Sequence, residues 1–235
     1  MKKQLFLLII CCFCSILGFS QSKPYFTSGG EMIFSFAAIQ DNGNSENSTL
    51  RWAPVFNTQS MLNTDLSKHF GIFTGLALRN VGFIYDHYKT PSSPASDASV
   101  QTFRKKFRTY NIGIPIGFKF GNLENLFFYG GYEVEFPFLY KEKTFDGHDK
   151  TGKITEWFSN RTGKIQHGFL VGIQFPQGFN LKFKYYMSEF LNQDYVDGSG
   201  IKPYAGLSAH VFYFSICTNL FRNTTFQSPV KTTTL

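Results

Sequence analysis

The feature that most constrains this chain is a strict alternation of large apolar residues with small or polar ones. Between Arg108 and Phe120 the even positions read Tyr110, Ile112, Ile114, Ile116, Phe118 and Phe120. The odd positions read Thr109, Asn111, Gly113, Pro115, Gly117 and Lys119. In a strand, residues two apart share a face, so this segment has one bulky apolar face and one small or polar face. The same pattern recurs in Phe128–Tyr140, where Glu133 and Glu135 take the polar face, and in Ile165–Phe175. It returns in Phe179–Met187, where Lys182 and Lys184 oppose Phe183 and Tyr185, and in Phe212–Ile216. Looser versions set Met32, Phe34 and Phe36 against Glu31 and Ser35, Trp52, Phe56 and Leu62 against Arg51 and Gln59, and Phe70–Leu78 against Gly71, Gly75 and Arg79. These segments predict eight strands, and none carries the 3.6-residue period of an amphipathic helix.

The connections alternate too. Long ones are expected near 40–50, 85–103, 141–163 and 190–205, and short ones near 64–68, 121–126 and 176–178. An even number of strands places both ends of the chain on the short-turn side. Pro54, Pro115 and Pro137 fall inside strands and remove ladder donors, so bulges or local breaks are expected there.

Alternation does not say which face meets what. The polar face is rich in glycine and small residues, as a narrow packed interior requires, whereas a soluble exterior would carry abundant lysine and glutamate. Phe70, Phe120, Phe128, Phe175 and Phe179 gather beside the short turns, where an interfacial aromatic girdle belongs. Trp52, Tyr85, Tyr110 and Tyr140 are expected to form the opposite girdle. An aromatic content of 18% finds its reason here. The expected fold is therefore an all-β, eight-stranded, antiparallel up-and-down transmembrane barrel over 21–221, with short periplasmic turns and long extracellular loops. Eight strands leave an interior just wide enough for side chains to fill.

Lys2 and Lys3 precede an apolar run from Leu5 to Leu17, followed by Gly18 and Ser20. This is a secretory signal pattern, with cleavage expected after Ser20. Only Cys217 survives that cleavage, so no intramolecular disulfide is expected. The basic residues are scattered, which argues against nucleic acid as a partner.

Candidate sites follow from face and position. Glu133, Glu135, Lys182, Lys184 and Arg79 all point into the lumen by parity, and unpaired buried charge is costly, so a charge network is expected. Its structural role is a plug; its functional alternative is an ion or solute path. Arg104, Lys105, Lys106 and Arg108 sit at the outer mouth, apt for lipopolysaccharide phosphates. Their alternative role is a solvated loop base. His167 and His210 fall on the apolar face, His69 in a short turn, and His87 and His148 in long connections. The chain has no Gly-x-Ser-x-Gly or His-Glu-x-x-His pattern. No catalytic residue, cofactor or metal site is assigned, and His148 with Asp146 and Asp149 reads as a polar loop rather than a metal site.

The segments His69–Phe83 and Phe127–Phe138, with Asn180–Tyr186, resemble the small outer-membrane β-barrel domain family of Bacteroidetes-type bacteria, which includes PorT-like proteins. The resemblance implies an outer-membrane location and the barrel assembly machinery as a partner in biogenesis. It also implies a non-enzymatic structural or accessory role, with envelope or secretion proteins as partners. Phe221 is similar to the terminal aromatic of such barrels, although the segment 222–235 follows it as a periplasmic tail. The alternative is a secreted, soluble, lipocalin-like lipid carrier; a third reading is a small lipid-modifying enzyme.

Overall fold

The computed structural model describes residues 24–89 and 101–223. The signal segment 1–20 and the tail beyond 223 lie outside the described residues. The strands are β1 (Tyr25–Asp41), β2 (Asn44–Thr49), β3 (Arg51–Ala53), β4 (Thr58–Asp65), β5 (Phe70–Tyr88) and β6 (Phe103–Gly121). They continue with β7 (Phe127–Asp146), β8 (Asp149–Trp157), β9 (Gln166–Gln174), β10 (Phe179–Tyr186) and β11 (Leu207–Asn223). All pairings between these strands are antiparallel, and β11 pairs with β1 along almost its whole length, which closes the ring. β2, β3 and β4 lie successively against β1 as one stave. β8 and β9 share β7 in the same way, so eleven strands make eight staves. Closure leaves no edge around the ring itself; β8, which pairs only with β7, carries a free edge above it.

The short turns fall where the sequence places them, but two of the expected long loops are strand instead. β1 runs directly into β2 through Asn42 and Gly43, both at positive φ (50° and 83°). That is the two-residue hairpin for which an Asn-Gly pair is suited. β7 and β8 likewise form a hairpin with its tip at Gly147-His148. Of the long connections, 187–206 is described throughout and is irregular.

The prolines act as expected in two places. Pro54 separates β3 from β4, and Pro137 adjoins a register shift where Phe138 is the extra residue opposite Tyr110 and Asn111. Pro115 pairs with Glu133 without a shift. The Phe138 bulge reverses the face of everything beyond it on β7. Glu135 and Tyr140 therefore both point inward, and Tyr140 is buried in the interior rather than in the outer girdle. Tyr85 is also interior, following the odd-numbered inward face of β5. Trp52 remains outside, and Tyr110 lies outside under Phe56 and Phe138.

The outer surface carries a continuous apolar belt. Leu76, Ile112, Ile116, Phe118, Phe136, Phe169, Val171, Leu181 and Phe214 are all exposed, Ile116 by 65%. Along β6 the belt runs from Tyr110 to Phe120, which at a typical barrel tilt is about 25 Å tall. Phe70 packs on Phe118 and Phe120 at its lower rim, and Phe175 on Phe179.

Candidate functional site

The lumen is filled in layers. At the short-turn end lies an open cup of about 370 Å³ with a mixed lining, Asn63, Lys119 and Asn180 beside Phe73, Leu123 and Phe127. Lys119 bonds Asp65 at 2.5 Å and the Tyr25 hydroxyl at 3.0 Å. Phe73 and Tyr129 form its ceiling, edge to face.

Above the cup sits the charge network. Lys184 Nζ donates to Glu133 Oε2 at 2.6 Å and to Glu135 Oε1 at 2.5 Å. Arg79 Nη2 lies 3.4 Å from Glu133 Oε1, and Nη1 bonds Glu31. Lys182 Nζ reaches the same Glu31 carboxylate at 2.9 Å. Gln59 accepts from Arg79 at 3.0 Å, Asn111 donates to Glu135 at 2.6 Å, and Tyr186 donates to Glu135 at 2.8 Å. Every sequence-predicted lumen residue is present and joined: Arg79, Glu133, Glu135, Lys182 and Lys184. Glu31 and Gln59 complete the set, contributed by β1 and β4. Three carboxylates face three cations (Arg79, Lys182 and Lys184), so the buried cluster is neutral. Glycine makes the room: a methyl on Gly113 would fall 2.4 Å from Glu133 Oε1 and 3.2 Å from Glu135 Cγ.

A third layer is apolar. Phe83, Phe107, Val81, Ile33 and Val211 pack with Phe190 and Leu191, which belong to the connection 187–206. That connection turns back into the mouth. Phe190 N–H donates to Ala209 O, Asn192 N–H donates to Arg161 O, and Leu191 pairs with Thr162. It is pinned on top by a polar knot. Glu142 accepts from Lys105 Nζ at 2.5 Å, Tyr204 at 2.6 Å and Tyr140 at 2.7 Å, while Arg161 Nη1 donates to Tyr204 at 3.1 Å. Tyr88 donates to Pro203 O at 2.7 Å.

Lys105 thus belongs to the interior, not to the outer basic cluster. It alternates with Arg104, Lys106 and Arg108, and only those three point outward. Arg104 is paired with Asp86.

Burial alone would raise the Glu142 carboxyl, but Lys105 and the two tyrosine hydroxyls outweigh it and hold it below the ordinary 4.5. A lowered folded value means that its stabilisation is complete above the unfolded pKa and is lost as pH falls through the folded one. The thermal midpoint is therefore expected to drop on acidification below about pH 4, and to drop less in Glu142→Gln. Identical acid profiles for the two proteins would contradict this.

The histidines are engaged elsewhere. His167 Nδ1 lies 2.6 Å from the Tyr132 hydroxyl, His210 Nε2 lies 3.1 Å from Glu189, and His87 Nδ1 lies 3.5 Å from Glu46. His69 Nδ1 meets Gly121 O at 3.2 Å. Among the described residues, no group of three or more His, Cys, Asp or Glu side chains is placed to hold a metal ion.

No family model and no curated protein matches the chain. Among solved structures it overlaps the attachment invasion locus protein Ail of Yersinia pestis, at 12% identity over 82% of this chain and 97% of that one, with a TM-score of 0.37. It also overlaps Neisserial surface protein A, at 13% identity over 83% and 96%, with a TM-score of 0.36. The outer membrane protein OprG from Pseudomonas aeruginosa gives 12% identity over 85% and 98%, with a TM-score of 0.33. These overlaps are loose, and the barrel architecture stands on the chain's own strand pairing.

Proposed function

We propose that this chain is an outer-membrane β-barrel with a sealed lumen, acting as a non-enzymatic structural or accessory component of the envelope. The observation that carries the reading is the inversion of polarity. The exterior is an apolar belt about 25 Å tall, and the interior holds a neutral network of buried charges. A soluble lipid carrier needs the reverse, an apolar cavity under a wet exterior. In lipid every backbone group must be paired within the protein, which a closed ring achieves. The long hairpins β1–β2 and β7–β8 rise beyond the belt on the side opposite the short turns, which supports reading the hairpins as extracellular and the short turns as periplasmic.

Sealing follows from two stacked stoppers, the charge network and the inserted connection 187–206. Contacts with envelope or secretion partners then fall to the hairpins, in keeping with the PorT-like resemblance. In planar bilayers the purified barrel is expected to show no steady single-channel conductance, and Glu133→Gln with Glu135→Gln none either. A stable conductance in the unmodified protein that changes in that double variant would replace the plug with an ion path.

A further inference from the structure

The outward basic residues are arranged in cross-strand rows. Lys106 on β6 is in register with Lys143 on β7, and Lys143 with Lys153 on β8. One step nearer the belt, Arg108 is in register with Lys141. Like charges placed directly opposite one another destabilise a sheet, so these rows oppose folding unless something anionic lies on them. No described carboxylate forms an ion pair with Lys106, Arg108, Lys141, Lys143 or Lys153. Burial and the neighbouring charges of Arg108, Lys150, Lys106 and Lys153 together hold Lys143 below the ordinary lysine range.

The height of the rows is informative. Directly below them, on the same three strands, lie Tyr110, Phe138 with Leu139, and Trp157, the upper aromatic rim of the belt. Arg108 and Lys141 lie over the Tyr110 ring, at 5.8 and 5.1 Å from its centre. The Arg108–Lys141 row lies two residues above the aromatics, about 7 Å along the strand, and the Lys106–Lys143–Lys153 row four residues above, about 14 Å; together they cover the headgroup zone next to the aromatic rim. Adjacent strands are about 4.8 Å apart, so each row spans roughly one to two phosphate widths.

We infer that the face formed by Lys106, Arg108, Lys141, Lys143 and Lys153 is a docking site for the phosphates of an outer-leaflet glycolipid of the lipid A type. Its acyl chains lie on the belt beneath. The inference rests on the outer-membrane reading. Lys and Arg are suited to phosphate through charge-assisted hydrogen bonds, and three strands present them on a rigid surface. The sequence shows Lys106 and Arg108 as part of a local basic run, but Lys141, Lys143 and Lys153 join them only through strand register.

The test is equilibrium binding of bisphosphoryl lipid A to the full-length mature barrel in neutral detergent micelles, against the same lipid with both phosphates removed. The native protein is expected to prefer the phosphorylated lipid by about tenfold or more. The triple variant Lys106→Gln, Lys143→Gln, Lys153→Gln should lose that preference, while Lys68→Gln with Lys202→Gln, away from the rows, keeps it. Inorganic phosphate at tens of millimolar should not displace the lipid. Equal affinity for the two lipids, an unchanged preference in the triple variant, or full displacement by free phosphate would each overturn the site. Heat-modifiable migration of the variants in the outer-membrane fraction separates the two levels. A barrel present there without lipid preference removes only this inference, and a barrel absent from that fraction removes the reading beneath it.

Discussion

Replacing Arg79 with methionine is expected to cost about 3–5 kcal/mol of unfolding free energy, because it leaves buried carboxylates without their cation. Arg79 is 1% exposed and bridges Glu31 on one side and Glu133 on the other. Without it, Lys182 and Lys184 face three carboxylates, and one of those must lose its charge or drag water into the barrel wall. The double variant Arg79→Met with Glu133→Gln restores neutrality, with Glu31 and Glu135 facing the two lysines. It should therefore be more stable than Arg79→Met alone. Urea titration of the refolded barrel in lipid vesicles measures both. A double variant that is the less stable of the two would mean that the network is held by geometry rather than by charge balance.

Phe83→Ala should produce a loss of similar size, about 3–5 kcal/mol, by a different route. Phe83 is fully buried, with the Phe107 ring 4.9 Å away and the Phe190 ring 5.4 Å away edge to face. Truncation opens a cavity under the inserted connection, where Phe190 and Leu191 make its main apolar contacts. The expected signature is therefore double. The urea midpoint falls, and protease added from the hairpin side cuts within 187–206 at conditions where the native protein resists. Loss of stability with that connection still protected would show that Phe83 supports the wall and not the stopper.

The parts of this architecture that repeat every two residues were legible in the sequence. Parity alone placed Glu133, Glu135, Lys182, Lys184 and Arg79 in the lumen, where Glu133 and Lys184 meet at 2.6 Å. Parity also put Glu31 and Gln59 on the polar face. Their membership of the network depended on ring closure through β11 and β1, a contact between the two ends of the chain that no local pattern carries. Tyr140 was misplaced because one extra residue, Phe138, reverses every face after it, and the adjacent Pro137 was the only hint. Lys105 was grouped with its neighbours in sequence, whereas a strand separates neighbours onto opposite faces. The connection 187–206 has no period at all. Its insertion into the mouth rests on Phe190 and Tyr204 finding partners on four different strands, β5, β6, β7 and β11, which only the assembled barrel supplies.

Lipid around the apolar belt is the central expectation for this chain. Membrane fractionation of cells making the full precursor, followed by gel migration with and without boiling, tests this most directly. The expected result is a mature chain confined to the outer membrane, resistant to carbonate extraction, whose unboiled form migrates faster than its boiled form. A chain recovered from the soluble periplasm, with migration unaffected by heat, would contradict it.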